Sequence, residues 1–204
     1  MNLKEIFQNY FSKKSKLSKL SDLLFVLFIA ALLVPQGRMK IMSMVNKGKM
    51  MIIKPSLNSV ENTMTLNDSD YQLMFHDLKG ENFDFSKVKG KVIFINFWAT
   101  WCPPCVAELQ SIQELYNLYK DNNQVAFLIV GNEEPDVIQN FITNKSYSFP
   151  VYINKFQLPD LLKTTGIPAT FVISKKGKIV VSEEGAMNWA SDDMKKIMNN
   201  LIKE

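Results

Sequence analysis

Cysteine and histidine are scarce in this 204-residue chain, which has two cysteines and a single histidine, His76. A structural zinc site usually takes four Cys or His ligands, so a Cys/His zinc site is incomplete here. The sequence also lacks internal repeats, and its 47% hydrophobic and 22% charged residues are ordinary for a globular protein. These features indicate one ordinary domain with additional sequence.

Acidic residues are nearly absent from the N-terminal segment. Residues 1–59 carry ten Lys or Arg residues but only two acids, Glu5 and Asp22. Residues 60–204 carry fourteen lysines and eighteen acids, so the net charge of +4 comes from the N-terminal segment. The mildly acidic remainder argues against nucleic-acid binding.

An apolar run, LLFVLFIAALLV, extends from Leu23 to Val34, and the uncharged stretch continues to Gly37. The run is shorter than the about 20 residues of a typical membrane-spanning helix, and its length also suits the core of a signal peptide. No A-x-A-like cleavage site follows it, and no nearby cysteine can carry a lipid. We therefore favour an uncleaved signal-anchor at 23–37 over a cleaved signal peptide.

The distribution of lysines predicts the orientation of this anchor. More positive residues lie immediately before the run than immediately after it, so residues 1–22 are predicted to be a short basic cytoplasmic tail. Residues 38–65 are predicted to be a linker, whose Met-rich part suits either a plain linker or a segment on the membrane surface. Residues 66–204 then form a globular domain outside the cytoplasm.

The pattern of apolar residues in this domain predicts alternating strands and helices in a central mixed sheet with helices on both faces. Buried or paired strands are predicted within Tyr71–Gly80, Lys91–Ala99, Val125–Val130, 149–153, Ala169–Ser174 and Lys178–Ser182. Helices are predicted after Cys102, from Pro135, over 158–165 and from Ser191 or Asp192 to the C-terminus.

The two cysteines both lie in the stretch WATWCPPC. A disulfide across two residues closes too small a loop to stabilise the chain much, so a structural role is disfavoured. Cys102 falls where a buried strand gives way to an amphipathic helix, and a helix N-terminus favours a thiolate. Pro103 and Pro104 are tolerated in a first helical turn. We therefore predict a redox pair, with Cys102 as nucleophile and the more buried Cys105 as resolving thiol.

NFWATWCPPC, together with GIPAT further along the chain, resembles the thioredoxin superfamily. The resemblance is to its membrane-tethered, extracytoplasmic TlpA/ResA-like branch, and it covers roughly residues 66–204. It implies a thioredoxin fold with an N-terminal hairpin and a βα insertion within residues 133–162. It also implies that the Cys102–Cys105 disulfide is the redox centre and that no other cofactor is needed.

The resemblance assigns further roles around the dithiol. Pro168 matches the cis-proline of the family, although on its own it would be an ordinary turn proline. Ile167 would offer its backbone to an extended substrate segment beside Cys102. Trp101, with Pro103 and Pro104, would line the substrate surface, whereas Trp98 is expected in the core.

Glu108 matches a glutamate that lies close to the dithiol in ResA-like proteins and assists proton transfer. From its spacing alone, Glu108 is more simply a solvated helix residue. Asn96 stands where cytosolic thioredoxins have a buried aspartate, and since an amide does not titrate, Glu108 is the one obvious acid near the pair. His76 is interpreted as an ordinary strand residue.

Rival functions remain to be weighed. A thiol peroxidase would need an arginine near the cysteine, but the only arginine, Arg38, lies outside the domain. A copper-delivering relative would need a well-placed histidine. A non-catalytic binding module and a disulfide oxidase stay open, and a reductase is favoured because the motif has two prolines and no histidine. The resemblance implies protein disulfides as substrates, including apocytochrome c cysteines, and a membrane thiol carrier as reductant.

Overall fold

The structure is a computed structural model that describes residues 15–33 and 64–204. Helix α1, Lys16–Leu33, contains most of the apolar run and belongs to a different unit from the domain at 64–204. The rest of the predicted anchor, at 34–37, lies outside the described residues, as do residues 1–14 and the linker up to residue 63. Within the two described stretches, no helix combines the length and the apolar content needed to cross a bilayer.

The domain contains seven strands and three α-helices. The strands are β1 Met74–Asp77, β2 Asn82–Asp84, β3 Val92–Phe97, β4 Val125–Gly131, β5 Val151–Ile153, β6 Ala169–Ile173 and β7 Ile179–Glu184. The helices are α2 Pro103–Tyr119, α3 Pro135–Asn144 and α4 Asp192–Lys203. Ser191 caps the start of α4, where its side chain accepts a hydrogen bond from the backbone N–H of Met194.

All seven strands form one mixed sheet in the order β2-β1-β5-β4-β3-β6-β7. Strands β3, β4 and β5 are parallel to one another, whereas β6 pairs antiparallel with β3 and with β7, as the predicted C-terminal hairpin requires. The predicted N-terminal hairpin is also confirmed, since β1 and β2 pair antiparallel and extend the sheet beyond β5. Every residue of β3 is buried, which explains its continuous apolar sequence.

One predicted helix needs correction. Residues 133–162 hold the helix α3 and then the strand β5, but the helix predicted over 158–165 is only one 3₁₀ turn, Asp160–Leu162. Lys163 already has extended backbone angles, so the turn ends at Leu162. One buried side chain, that of Leu162, therefore anchors the whole turn.

Helices do not cover the two faces of the sheet equally. The large buried apolar side chains of α2, α3 and α4 belong to one core cluster. The other cluster is closed by 3₁₀ turns at Asp68–Tyr71, Phe85–Val88 and Asp160–Leu162. The prediction of helices on both faces is therefore wrong, since the three α-helices of the domain pack on one face. On the second face, short turns that each bury one or two large side chains cover the core instead.

Strand β3 contributes to both clusters because successive side chains point to opposite faces. Ile93 and Ile95 belong to the face with the 3₁₀ turns, and Val92 and Phe94 belong to the helical face. Asn96 follows the same alternation and therefore faces α2. This register brings an amide from the centre of the sheet under the helix that carries both cysteines.

Candidate active site

The two cysteines lie at the start of α2 and are joined by a disulfide, with their Cα atoms 5.3 Å apart. Cys102 is the N-cap residue, with extended backbone angles, and Pro103 and Pro104 occupy the first helical turn. The backbone N–H of Cys105 donates to the Cys102 Sγ at 3.3 Å. Cys102 therefore has the position at which free N–H groups and the helix dipole favour a thiolate.

Burial separates the residues around the disulfide into an inner and an outer set. Cys105 is fully buried, and Cys102 retains 4% of its surface exposed. Trp101 is 62% exposed beside them, whereas Trp98 is buried in the core. The predicted division between a core tryptophan and a surface tryptophan is therefore confirmed.

The loop before β6 faces Cys102. The carbonyl oxygen of Ile167 lies 3.7 Å from the Cys102 Sγ, and the Ile167–Pro168 peptide bond is cis. The backbone N–H of Gly185 donates to the Pro168 carbonyl at 2.8 Å and ties this loop to the end of β7. The structure thus brings together Cys102, Ile167 and Pro168, as the resemblance implied, and their role toward a substrate stays a prediction.

Glu108 is fully buried and receives three hydrogen bonds. Its Oε1 accepts from Asn96 Nδ2 at 2.8 Å. Its Oε2 accepts from Trp189 Nε1 at 2.8 Å and from the Met187 backbone N–H at 3.1 Å. The interpretation of Glu108 as a solvated helix residue is therefore wrong, because the loop before α4 closes over it.

Burial raises the pKa of Glu108 to about 7, and the hydrogen bonds from Trp189, Met187 and Asn96 oppose this rise only in part. The carboxyl group is therefore able to change protonation state near neutral pH. Asn96 also donates to Thr170 Oγ1 at 2.8 Å, and its Oδ1 has no hydrogen-bond partner among the described residues.

A cavity of about 190 Å³ opens beside the disulfide. Trp101 and Ile167 form part of its wall, so it adjoins the predicted substrate surface. The other lining residues come from the ends of β3 and β4 and from the loop after β5: Phe97, Trp98, Val130, Gly131, Asn132, Asn154, Leu158 and Thr164. Sequence reasoning did not identify this wall, because no local motif marks Asn132, Asn154 or Leu158.

Two further glutamates, which sequence patterns did not identify, hold the loops that meet at the disulfide. Glu133 accepts hydrogen bonds from the backbone and hydroxyl groups of Thr100. Glu184 does the same for Thr165. Across residues 15–33 and 64–204, no group of three or more His, Cys, Asp or Glu side chains is arranged to hold a metal ion.

The sheet order, the disulfide at a helix N-terminus and the facing proline loop define a thiol-disulfide oxidoreductase centre on a thioredoxin-like fold. The chain belongs to the Redoxin family, whose model matches residues 60–202.

Relatives with established names agree with this class. Thiol-disulfide oxidoreductase ResA of Bacillus cereus is 32% identical over 130 residues, which span 62% of this chain and 74% of that protein. ResA of Halalkalibacterium halodurans is 33% identical over 115 residues, which span 56% of this chain and 65% of that protein. The chain thus covers about two thirds of the length of these relatives.

Solved structures share the fold at lower identity. A thiol:disulfide interchange protein of the thioredoxin family from Chlorobium tepidum is 23% identical, with a TM-score of 0.54, over 71% of this chain and 99% of its own. A secreted thiol-disulfide isomerase from Corynebacterium glutamicum is 17% identical, with a TM-score of 0.54, over 74% of this chain and 98% of its own.

Proposed function

We propose that this protein is a membrane-tethered enzyme that reduces disulfides of other proteins outside the cytoplasm. The observation that carries the proposal is the placement of the Cys102–Cys105 disulfide beside an open cavity, with exposed Trp101 and the Ile167 carbonyl on its rim. Such a rim lets a polypeptide approach Cys102, the less buried of the two cysteines. A holding module would not need a buried carboxyl group with a pKa near neutrality behind the dithiol.

In the first step, the reduced enzyme attacks a substrate disulfide. The Cys102 thiolate forms a bond to one substrate sulfur, and the substrate S–S bond breaks. The other substrate sulfur leaves as a thiolate and takes up a proton. The product is a mixed disulfide between Cys102 and the substrate, beside the backbone of Ile167.

In the second step, Cys105 resolves the mixed disulfide. Its thiol loses a proton and attacks the Cys102 Sγ, which forms the disulfide seen in the structure and releases the second substrate thiolate. Two electrons have then passed from the dithiol to the substrate. Glu108, one helical turn after Cys105, takes or relays this proton, since its raised pKa lets it accept and return a proton near neutral pH.

A reductase needs a supply of electrons, and we assign this role to a membrane thiol-disulfide carrier. Apocytochrome c cysteines are the proposed substrate class, on the strength of the family resemblance. A measured reduction potential tests the direction. A value near the about −270 mV of thioredoxin supports a reductase, and a value near the about −120 mV of a strong oxidant would make the protein an oxidase.

The proposed tether is the apolar run Leu23–Val34 behind a basic N-terminus. In helix α1, the side chains from Leu23 to Ile29 are exposed, so they offer an apolar surface to lipid. Cell fractionation and reporter fusions after residue 60 test the tether. A released product beginning near residue 37 would refute it, and a reporter active in the cytoplasm would refute the orientation.

Trapping in cells identifies the substrate. Cys105→Ala leaves the Cys102 thiol able to form a mixed disulfide but unable to resolve it. We expect proteins with paired cysteines to remain attached to Cys102 and to be released by dithiothreitol. Cys102→Ala is the matched control and should trap nothing. Equal recovery from both variants would refute the assigned exchange chemistry.

A further inference from the structure

Two loops meet at the disulfide, and the first of them precedes Cys102. Within this loop, the backbone N–H of Thr100 donates to Glu133 Oε2 at 2.6 Å and the Thr100 hydroxyl donates to Glu133 Oε1 at 2.7 Å. Glu133 lies just beyond the C-terminal end of β4, and both residues are partly buried. One carboxylate therefore fixes the loop on which Trp101 and Cys102 are carried.

The second loop precedes Pro168 and is held in the same way. The backbone N–H of Thr165 donates to Glu184 Oε1 at 2.8 Å, and the Thr165 hydroxyl donates to Glu184 Oε2 at 2.6 Å. Glu184 is the last residue of β7. The two hydrogen bonds from Thr165 lower the pKa of Glu184, so this carboxylate stays ionised at neutral pH.

Each carboxylate accepts hydrogen bonds from a single threonine through both of its oxygens. Each threonine also lies two residues before a residue that forms the contact between the loops. Thr100 precedes Cys102, and Thr165 precedes Ile167, whose carbonyl lies 3.7 Å from the Cys102 Sγ. Hydrogen bonds to an ionised acceptor are roughly twice as strong as neutral ones, and paired bonds also fix direction. The distance between the two loops is therefore set by side chains as well as by the sheet.

We propose that Glu133 and Glu184 are positioning residues that hold these two loops at the spacing a polypeptide disulfide needs. This inference rests on the proposed use of protein disulfides as substrates. An extended substrate segment must meet the Ile167 backbone and the Cys102 sulfur at once, so a shift of either loop impairs its alignment. A small disulfide has no such segment and needs only access to the Cys102 sulfur.

The comparison of two substrates tests the inference. Glu133→Ala should lower kcat/KM for insulin reduction by about tenfold, less than the about 10²-fold that a misplacement of about 1 Å can cost. It should change the reduction of hydroxyethyl disulfide by less than about twofold. Glu133→Gln should recover much of the insulin activity, because the oxygen of the glutamine amide can still accept a hydrogen bond from one Thr100 group, although the amide carries no charge.

Matched variants separate positioning from charge and stability. Glu134→Ala removes the same charge from the exposed neighbouring residue, which makes no side-chain cap hydrogen bond within the described part of the chain, and it should behave as the parent. Thr100→Val removes the other partner, so Glu133→Ala combined with Thr100→Val should be no worse than Glu133→Ala alone. Glu184→Ala should show the same substrate dependence with a smaller loss, because its hydrogen bonds are exposed.

The outcomes distinguish this inference from the proposed function. If the parent reduces hydroxyethyl disulfide but not insulin, the proposed function fails. If the parent reduces both and Glu133→Ala slows both equally or neither, the positioning role is refuted. Loss of both activities in Glu133→Ala and in Glu133→Gln, with a lowered unfolding midpoint, would assign Glu133 to stability alone.

Discussion

The two sides of the first turns of α2 have opposite environments. On the outer side, Cys102 follows Trp101, a tryptophan that is 62% exposed and lines a cavity of about 190 Å³. On the inner side, Glu108 has no exposed surface and receives three hydrogen bonds. One helix therefore presents sulfur to large substrates and, one turn after Cys105, keeps a carboxyl group away from water.

The difference shows how exchange and proton transfer place opposing demands on one site. Attack on a protein disulfide needs an approach wide enough for a polypeptide. Proton transfer near pH 7 needs a group whose pKa is near 7, and burial is what raises the pKa of a carboxyl group that far. A helix satisfies both demands because its N-terminus adjoins the exposed Trp101, whereas its next turn is covered by the loop at Met187 and Trp189.

Replacement of Cys102, the nucleophile on the outer side, should have the largest effect on activity. Cys102→Ser should abolish the reduction of insulin, because no other thiol is placed to attack. In the reduced parent enzyme, Cys102 should be alkylated before Cys105, with a thiol pKa below the about 8.5 of free cysteine. Mass spectrometry of partly alkylated protein measures the order, and faster labelling of Cys105 would reverse the two roles.

Replacement of the inner carboxyl group should have the next largest effect. Glu108→Gln keeps the shape but cannot titrate, and it should slow turnover by about 10²-fold and change the pH dependence of the thiols. The Asn96 amide can rotate so that its unpartnered Oδ1 accepts from the new glutamine amide, so the fold should survive. Reductase rates and thiol titrations across neutral pH are the measurements.

A control variant distinguishes proton transfer from packing. Glu114 lies on the same helix but on its exposed surface, so Glu114→Gln should match the parent in rate and pH profile. If Glu108→Gln also matches the parent in rate and pH profile, the carboxyl group has no part in the reaction and the proton leaves through water.

The buried carboxyl group should also affect stability in a pH-dependent way. The pKa of Glu108 rises from 4.5 to about 7 on folding, so between these values the folded protein binds the proton more strongly than the unfolded chain. Its contribution to the free energy of unfolding therefore falls as pH rises through this window, by about 3 kcal/mol in total, and is constant above about pH 7. Oxidised Glu108→Gln should lack this decrease.

Denaturant unfolding of the oxidised parent and variant at about pH 4.5 and about pH 8 measures this effect. Other titrating groups contribute equally to both proteins and cancel in the difference. A difference between the two proteins that does not change with pH would show that Glu108 ionises in the folded state as it does in the unfolded chain.

The smallest expected effect concerns the outer rim. Trp101→Ala removes an exposed aromatic side chain beside Cys102 and should raise KM for insulin by about fivefold, equivalent to about 1 kcal/mol of lost contact. Leu118→Ala, which removes an exposed apolar side chain near the other end of α2, is the control. Equal KM values for the two variants would place Trp101 outside the substrate surface.

Local sequence patterns predicted much of the fold. Continuous apolar stretches marked β3 and β4, and apolar spacings of three and four marked α2. The prediction over 158–165 failed because a few apolar residues near a proline fit a short helix as well as a single turn. The chain forms the single turn, which buries Leu162 and ends at that residue.

The sequence by itself determined the redox pair, since a C-x-x-C spacing at a strand-to-helix junction needs only local geometry to bring two sulfurs together. Only the tertiary structure decided what surrounds the pair. Ile167 is 65 residues from Cys102, and Trp189 is 81 residues from Glu108. Contacts at such separations depend on the order and register of strands across the sheet. Local propensity carries no record of that order, so the burial of Glu108 and the two threonine contacts could be seen only after the chain had folded.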